Sequence, residues 1–136
     1  MYRPPFSANN GLRISVFLEK EWPAFLDNYA ITPRDIVIVG DMNFHLNIVD
    51  DHDSQRFISI LDLCGLQQHV CESTHFHGHT LDVVITRDTS RIVSDVVVTD
   101  PGLCDHFAVN FTAAIIRPTP IRPFKCDITD STIPHP

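Results

Sequence analysis

The chain has 136 residues, enough for one ordinary domain. Its 43% hydrophobic and 20% charged residues can build a packed core, which excludes a wholly disordered chain. A formal charge of −7 argues against a broad basic surface that grips nucleic acid by counterion release, but leaves room for an enzyme that meets phosphate through a metal held by carboxylates.

No apolar run approaches the roughly 18 residues that a membrane-spanning helix needs, and the start MYRPPFSANN has no apolar signal core. A soluble, intracellular protein is expected. Cys64, Cys71, Cys104 and Cys126 form no CxxC pair, so free thiols are expected rather than a disulfide scaffold or a closed zinc site.

In chain order, the prolines of YRPP extend the start and SANNG reads as a turn. From Gly11 the apolar residues Ile14, Phe17, Leu18, Trp22, Phe25, Leu26 and Tyr29 recur every three or four positions, which predicts an amphipathic helix. Pro23 lies inside that stripe and predicts a kink or restart. The run IVIVGDMN reads as a strand covered on both faces, ending in an acid at its carboxyl end, where α/β sheets place their chemistry. After the acidic loop IVDDHD, Asp53 or Ser54 is expected to cap a helix that runs through Leu63, turns Phe57, Ile60 and Leu61 inward, and stops at Gly65. Further strands are predicted over 66–70, 80–86, 92–98 and 106–113. The proline-rich residues 115–136 read as a tail or linker, leaving residues 1–114 as the domain.

Three short signals fall at predicted strand ends: GDMN at 40–43, TLDVVIT at 80–86 and CDHF at 104–107. Taken singly, an Asp after a strand is more often a turn former or cap than a catalyst. The order YRPP, GDMNFH, GHTLDVVIT, CDHF resembles the C-terminal half of the endonuclease/exonuclease/phosphatase superfamily. The nearest likeness is to the apurinic-type endonuclease domain beside reverse transcriptase in non-LTR retrotransposons. The resemblance implies an α/β fold, the C-terminal half of a four-layer, DNase I-like sandwich, present here as one sheet flanked by helices. It also implies Mg²⁺- or Mn²⁺-dependent hydrolysis of a phosphodiester, DNA as partner, and a nuclear location if the chain belongs to an active element.

Carried over residue by residue, the resemblance assigns Asp41 to orient or deprotonate the attacking water and Asn43 to hydrogen-bond water or phosphate. Alternating positions on a strand would point these two side chains the same way. Asp105 resembles the metal-ligating acid, His106 the histidine on a non-bridging phosphate oxygen, and Asp82 the acid that holds that imidazole. Tyr2 resembles the tyrosine whose hydroxyl lies near the scissile phosphate.

Two departures stand out. The family's SDH motif has Cys104 in place of Ser, a poorer donor. The family's first half supplies an Asn and a Glu ligand, and the sequence starts at the Tyr motif. The resemblance therefore implies that the N-terminal half is missing, which would leave an apolar sheet face uncovered and prone to self-association. Glu19, Glu21 and Glu72 read as solvated and replace nothing.

On an extended segment His75, His77 and His79 of THFHGHT would face one side, and with Cys71 they could bind zinc. Their spacing matches no closed tetrahedral pattern, so a polar approach to the strand carrying Asp82 is the preferred reading. His45, His52, His69 and His135 read as surface or turn residues. Two rivals to an endonuclease fragment stay open: a catalytically inert remnant acting as an interaction module, and a zinc-binding domain.

Overall fold

The computed structural model describes residues 14–115, a mixed α/β arrangement with two small antiparallel sheets. The expectations placed on Tyr2 and on the proline-rich tail fall outside the described residues, apart from Ile115.

The first apolar stripe is helical throughout, as α1 (Ile14–Val16), a π-helical turn (Phe17–Glu21) and α2 (Trp22–Ala30). Pro23 has no N–H for the carbonyl four residues back, and its ring crowds that carbonyl. The chain widens by one residue instead of restarting, and the Trp22 N–H reaches back five positions to the Phe17 carbonyl. The widened turn keeps Phe17, Leu18, Trp22 and Leu26 buried on one side. Arg87 closes the far end, donating to the carbonyls of Tyr29 at 3.0 Å and Thr32 at 2.6 Å, where a helix terminus favours a cation.

The third helix, α3 (His52–Leu63), is capped by Asp51 rather than by Asp53 or Ser54. Asp51 has extended backbone angles, and its carboxylate accepts from the Ser54 N–H at 2.9 Å. Beyond Cys64, Gly65 takes φ +63°, the left-handed conformation that ends a helix most cheaply in glycine. Phe57 and Leu61 point inward, and Ile60 packs at the margin.

Strands β1 (Val37–Asp41), β2 (Leu66–Gln68) and β3 (Asp82–Arg87) form an antiparallel sheet in the order β1-β3-β2. Opposed residues share a face, so Ile38 with Ile85 and Gly40 with Val83 look toward the helices, while Val39 with Val84 and Asp41 with Asp82 look away. The helix side closes over Trp22, Phe44 and Phe57, whose rings lie 5.0–5.3 Å apart along the Trp22–Phe57–Phe44 path. Each such side chain is worth about 1.5–3 kcal/mol on full burial. The run IVIVG is not the strand covered on both faces. That strand is β3, with Val83, Val84, Ile85 and Thr86 all buried, whereas Val39 on the edge strand β1 is 43% exposed.

The second sheet is a hairpin of β4 (Val93–Thr99) and β5 (Ala108–Ala113), so the expected single sheet is in fact two. The hairpin register shifts between Ser94 and Val97, and Asp95 there has φ +52°, a bulge that sharpens the twist. Val109 and Phe111 of β5 face Val39 and Val84 across a cleft of about 230 Å³. The face expected to lie open is therefore partly covered: Val84 is 2% exposed, while Val97 on the hairpin stays 48% exposed. Among the described residues no helix is long and apolar enough to cross a membrane.

Candidate functional site

Asp41 ends β1 and Asp82 begins β3, and the antiparallel register sets them opposite each other. The carboxyl-end rule for parallel sheets is thus not what brings them together; a carboxyl end meets an amino end because neighbouring strands run in opposite directions.

Asn43 joins Asp41 by a different route from the alternation expected along a strand. It has left β1 and adopts φ +51°, a left-handed conformation that Asn tolerates better than most residues. Its N–H donates to Asp41 Oδ1 at 2.9 Å and its Nδ2 to Asp41 Oδ2 at 3.0 Å. Both carboxylate oxygens are therefore oriented by one residue two positions on. Burial raises the Asp41 pKa above the ordinary carboxylate value, the Asn43 backbone bond opposes this, and the Asp82 charge adds to the rise.

His106 arrives from the loop that precedes β5. Its Nδ1 lies 3.0 Å from Asp82 Oδ2, and its Nε2 faces Asp41 Oδ2 at 4.0 Å. An ionised carboxylate accepts only, so Nδ1 carries a proton and Nε2 is the free end of the ring. Burial works against a charged His106, but the Asp82 hydrogen bond and the charges of Asp82, Asp41 and Asp105 outweigh it and lift its pKa above the usual histidine value.

Asp105 is placed beside this group rather than within it. Its side chain is 62% exposed, and His75 Nε2 lies 3.6 Å from its Oδ2. The Cys104 thiol donates to the His106 carbonyl at 3.2 Å.

Thr74 is the residue that sequence reasoning passed over. Fully buried, its Oγ1 accepts from the N–H groups of Leu81 at 2.9 Å and Asp82 at 3.0 Å, and its carbonyl accepts from Phe107 N–H at 2.7 Å. One side chain thus ties the first residue of β3 to the segment that carries His106. Within ESTHFHGHT a buried Thr carries no signal that separates it from an ordinary turn threonine.

The three alternating histidines do not lie on an extended segment. The N–H groups of Thr74 and His75 both reach the His79 carbonyl, at 2.9 and 3.0 Å, and Gly78 at φ +81° closes a tight turn. Alternation is lost, although the His75 and His77 rings stay 5.2 Å apart. His75 stands edge-on to His106 at 5.2 Å, His77 lies against Phe76 at 3.8 Å, and His79 stacks on His45 at 4.0 Å. Burial, and then the neighbouring histidines, lower the His79 pKa. His69 is likewise more than a surface residue, pairing with the buried Thr86 hydroxyl at 2.7 Å. Of the glutamates, Glu19 pairs with Arg56 at 3.1 Å, and Glu21 and Glu72 are exposed.

Among the described residues no three His, Cys, Asp or Glu side chains are grouped to hold a metal ion by themselves. The oxygen donors suit a hard cation that keeps most of its own water: Mg²⁺ commonly takes one or two carboxylates and completes its shell with water and substrate phosphate. Asp105, exposed and beside His106, is the acid open to such a role. No family model, curated protein or solved structure matches this chain.

Proposed function

We propose that the chain carries the phosphate-handling end of a metal-dependent phosphodiesterase, in full-length form a DNA-nicking endonuclease of a retrotransposon that works inside the cell, in the nucleus. The observation behind this reading is the convergence of Asp41, Asn43, Asp82 and His106 at one sheet end, with 3.0 Å between His106 and Asp82 and 4.0 Å between His106 and Asp41. On this reading the two sheets are half of a four-layer, DNase I-like sandwich, in line with the faces that look at each other across the cleft.

The division of labour follows from the contacts. Asp41, oriented by Asn43 and shifted toward the neutral range by burial, accepts a proton from the attacking water. His106 presents Nε2 to a non-bridging phosphate oxygen while Asp82 fixes its other nitrogen. Three carboxylates around one histidine leave the site negative, which repels a phosphodiester. Mg²⁺ or Mn²⁺, held by Asp105, supplies the positive charge that offsets this repulsion when bound.

Nicking of supercoiled plasmid tests the reading. With Mg²⁺, the chain combined with the Asn- and Glu-bearing half that the resemblance implies is expected to convert supercoiled to open-circular DNA. Asp41→Ala or His106→Ala is expected to abolish conversion. Nicking that survives both substitutions would overturn the assignment.

A further inference from the structure

We propose that His75 positions Asp105, holding its carboxylate at the mouth of the site through the ring nitrogen Nε2, which the surrounding turn aims at it. The geometry stands alone; its consequence for catalysis rests on the phosphodiesterase reading.

The three acids differ in how they are held. Asp41 is fixed by Asn43 and Asp82 by His106, and their side chains are 17% and 22% exposed. Asp105 is 62% exposed, and a carboxylate that open ordinarily samples several rotamers. Cys104, its neighbour in the chain, places its thiol on the His106 carbonyl.

His75 supplies the missing constraint. Its side chain is 13% exposed, and its backbone is pinned on two sides, by the turn hydrogen bond to the His79 carbonyl and by a β-bridge to His106. The Phe76 N–H donates to the Asp105 carbonyl at 2.9 Å, which brings the turn alongside that residue. The His77 N–H donates to His75 Nδ1 at 3.3 Å. A nitrogen that accepts a hydrogen bond bears no proton, so a neutral His75 ring carries its single proton on Nε2, which faces Asp105 Oδ2 at 3.6 Å. That separation exceeds a hydrogen bond, and the attraction is between a dipole and a charge. On this proposal the attraction favours one staggered rotamer of Asp105 over the others, which is what the test reads.

The test uses the full chain, isotope-labelled, and reads the three-bond couplings that report Asp105 χ1. Wild type is expected to show one staggered rotamer. His75→Phe, which keeps a ring and loses the N–H, is expected to show averaged couplings, and His75→Gln, whose amide reaches the Nε2 position, to restore the single rotamer. The Trp22 fluorescence and amide dispersion of each variant establish that the fold is intact. Averaged couplings in wild type, or one rotamer persisting in His75→Phe, would overturn the proposal. A dinucleotide phosphodiester with Mg²⁺, followed at the His106 ring resonances, separates this inference from the one it rests on. Weakening by roughly 10-fold or more in His75→Phe supports a positioning role, since groups that orient a ligand commonly matter by about 10–100-fold. An unchanged response in that variant counts against it. No response in wild type counts against the phosphodiesterase reading, while the couplings still decide whether His75 holds Asp105.

Discussion

Strand β3 buries four consecutive residues, whereas the hairpin strands β4 and β5 bury none. The two regions are made of similar stretches, DVVITR against VSDVVVT, rich in β-branched residues. What separates them is coverage. β3 is hydrogen-bonded on both edges and packed by helices on one face and by the hairpin on part of the other, while among the described residues the hairpin has no third strand and no helix in the core cluster packs on it. A strand's composition sets what it can bury; its neighbours set what it does bury. The site lies between these regions, with Asp41 and Asp82 on the firm sheet and His106 on the segment leading into the exposed hairpin.

The sharpest way to break the comparison is to remove a ring from each side. Phe57→Ala deletes a fully buried ring and is expected to cost about 3–5 kcal/mol, seen as a lower urea midpoint. Phe111→Ala, on the half-buried hairpin, is expected to cost clearly less. Equal losses would show that the hairpin is as much a part of the core as β3.

Thr74→Val attacks the tie between the two regions. It leaves the Leu81 and Asp82 N–H groups without their acceptor, with an expected loss of about 1–3 kcal/mol for each buried group. Thr74→Ser, which keeps the hydroxyl, is expected to recover most of that loss in the same urea titration. A smaller effect belongs to the helix cap. Asp51→Ala removes the acceptor for Ser54 N–H and is expected to cost about 1 kcal/mol, with α3 amides near its start exchanging faster.

The smallest expected effect is electrostatic. The His106 pKa is raised in the folded chain, so its contribution is fully present below the ordinary value of 6.5 and is lost as pH rises through the folded value. His79 runs the other way. Its pKa is lowered, so stability falls as pH drops below 6.5 and through the folded value, because the unfolded chain takes up that proton more readily. In a proton NMR titration the His106 midpoint is expected above 6.5, and Asp82→Asn, which removes the charge and leaves only a neutral amide oxygen to accept, to bring it down. A midpoint that ignores the substitution would mean that Asp82 does not hold the imidazole.

Much of the local structure was legible from the residues. The apolar stripe from Ile14 to Tyr29, the helix ending before Gly65 and the five strands all follow from period, turn residues and β-branched runs, and the structure carries elements at each of these places. Other features were not legible. The residue pattern points to Asp53 or Ser54 as the cap, and only the chain's path, which leaves Asp51 extended with its carboxylate accepting from Ser54 N–H, makes it Asp51. THFHGHT reads as alternation until the His79 carbonyl collects two N–H groups and folds it into a turn.

The sequence alone determined where chain segments become helix or strand, because those preferences act within a few residues: side-chain branching, spacing of apolar groups, and the freedom of glycine at positions such as Gly65 and Gly78. The grouping of GDMN, TLD and DH into one site is an expectation drawn from the resemblance of their order to a family's, not from any local preference. Tertiary structure decided the rest. Antiparallel pairing set Asp41 across from Asp82, the Thr74 clamp drew His106 within 3.0 Å of Asp82, and the packing of helices and hairpin chose β3 rather than β1 for burial on both faces. Each of these depends on contacts between residues distant in the chain, and no local pattern encodes which of several similar strands will find itself in the middle.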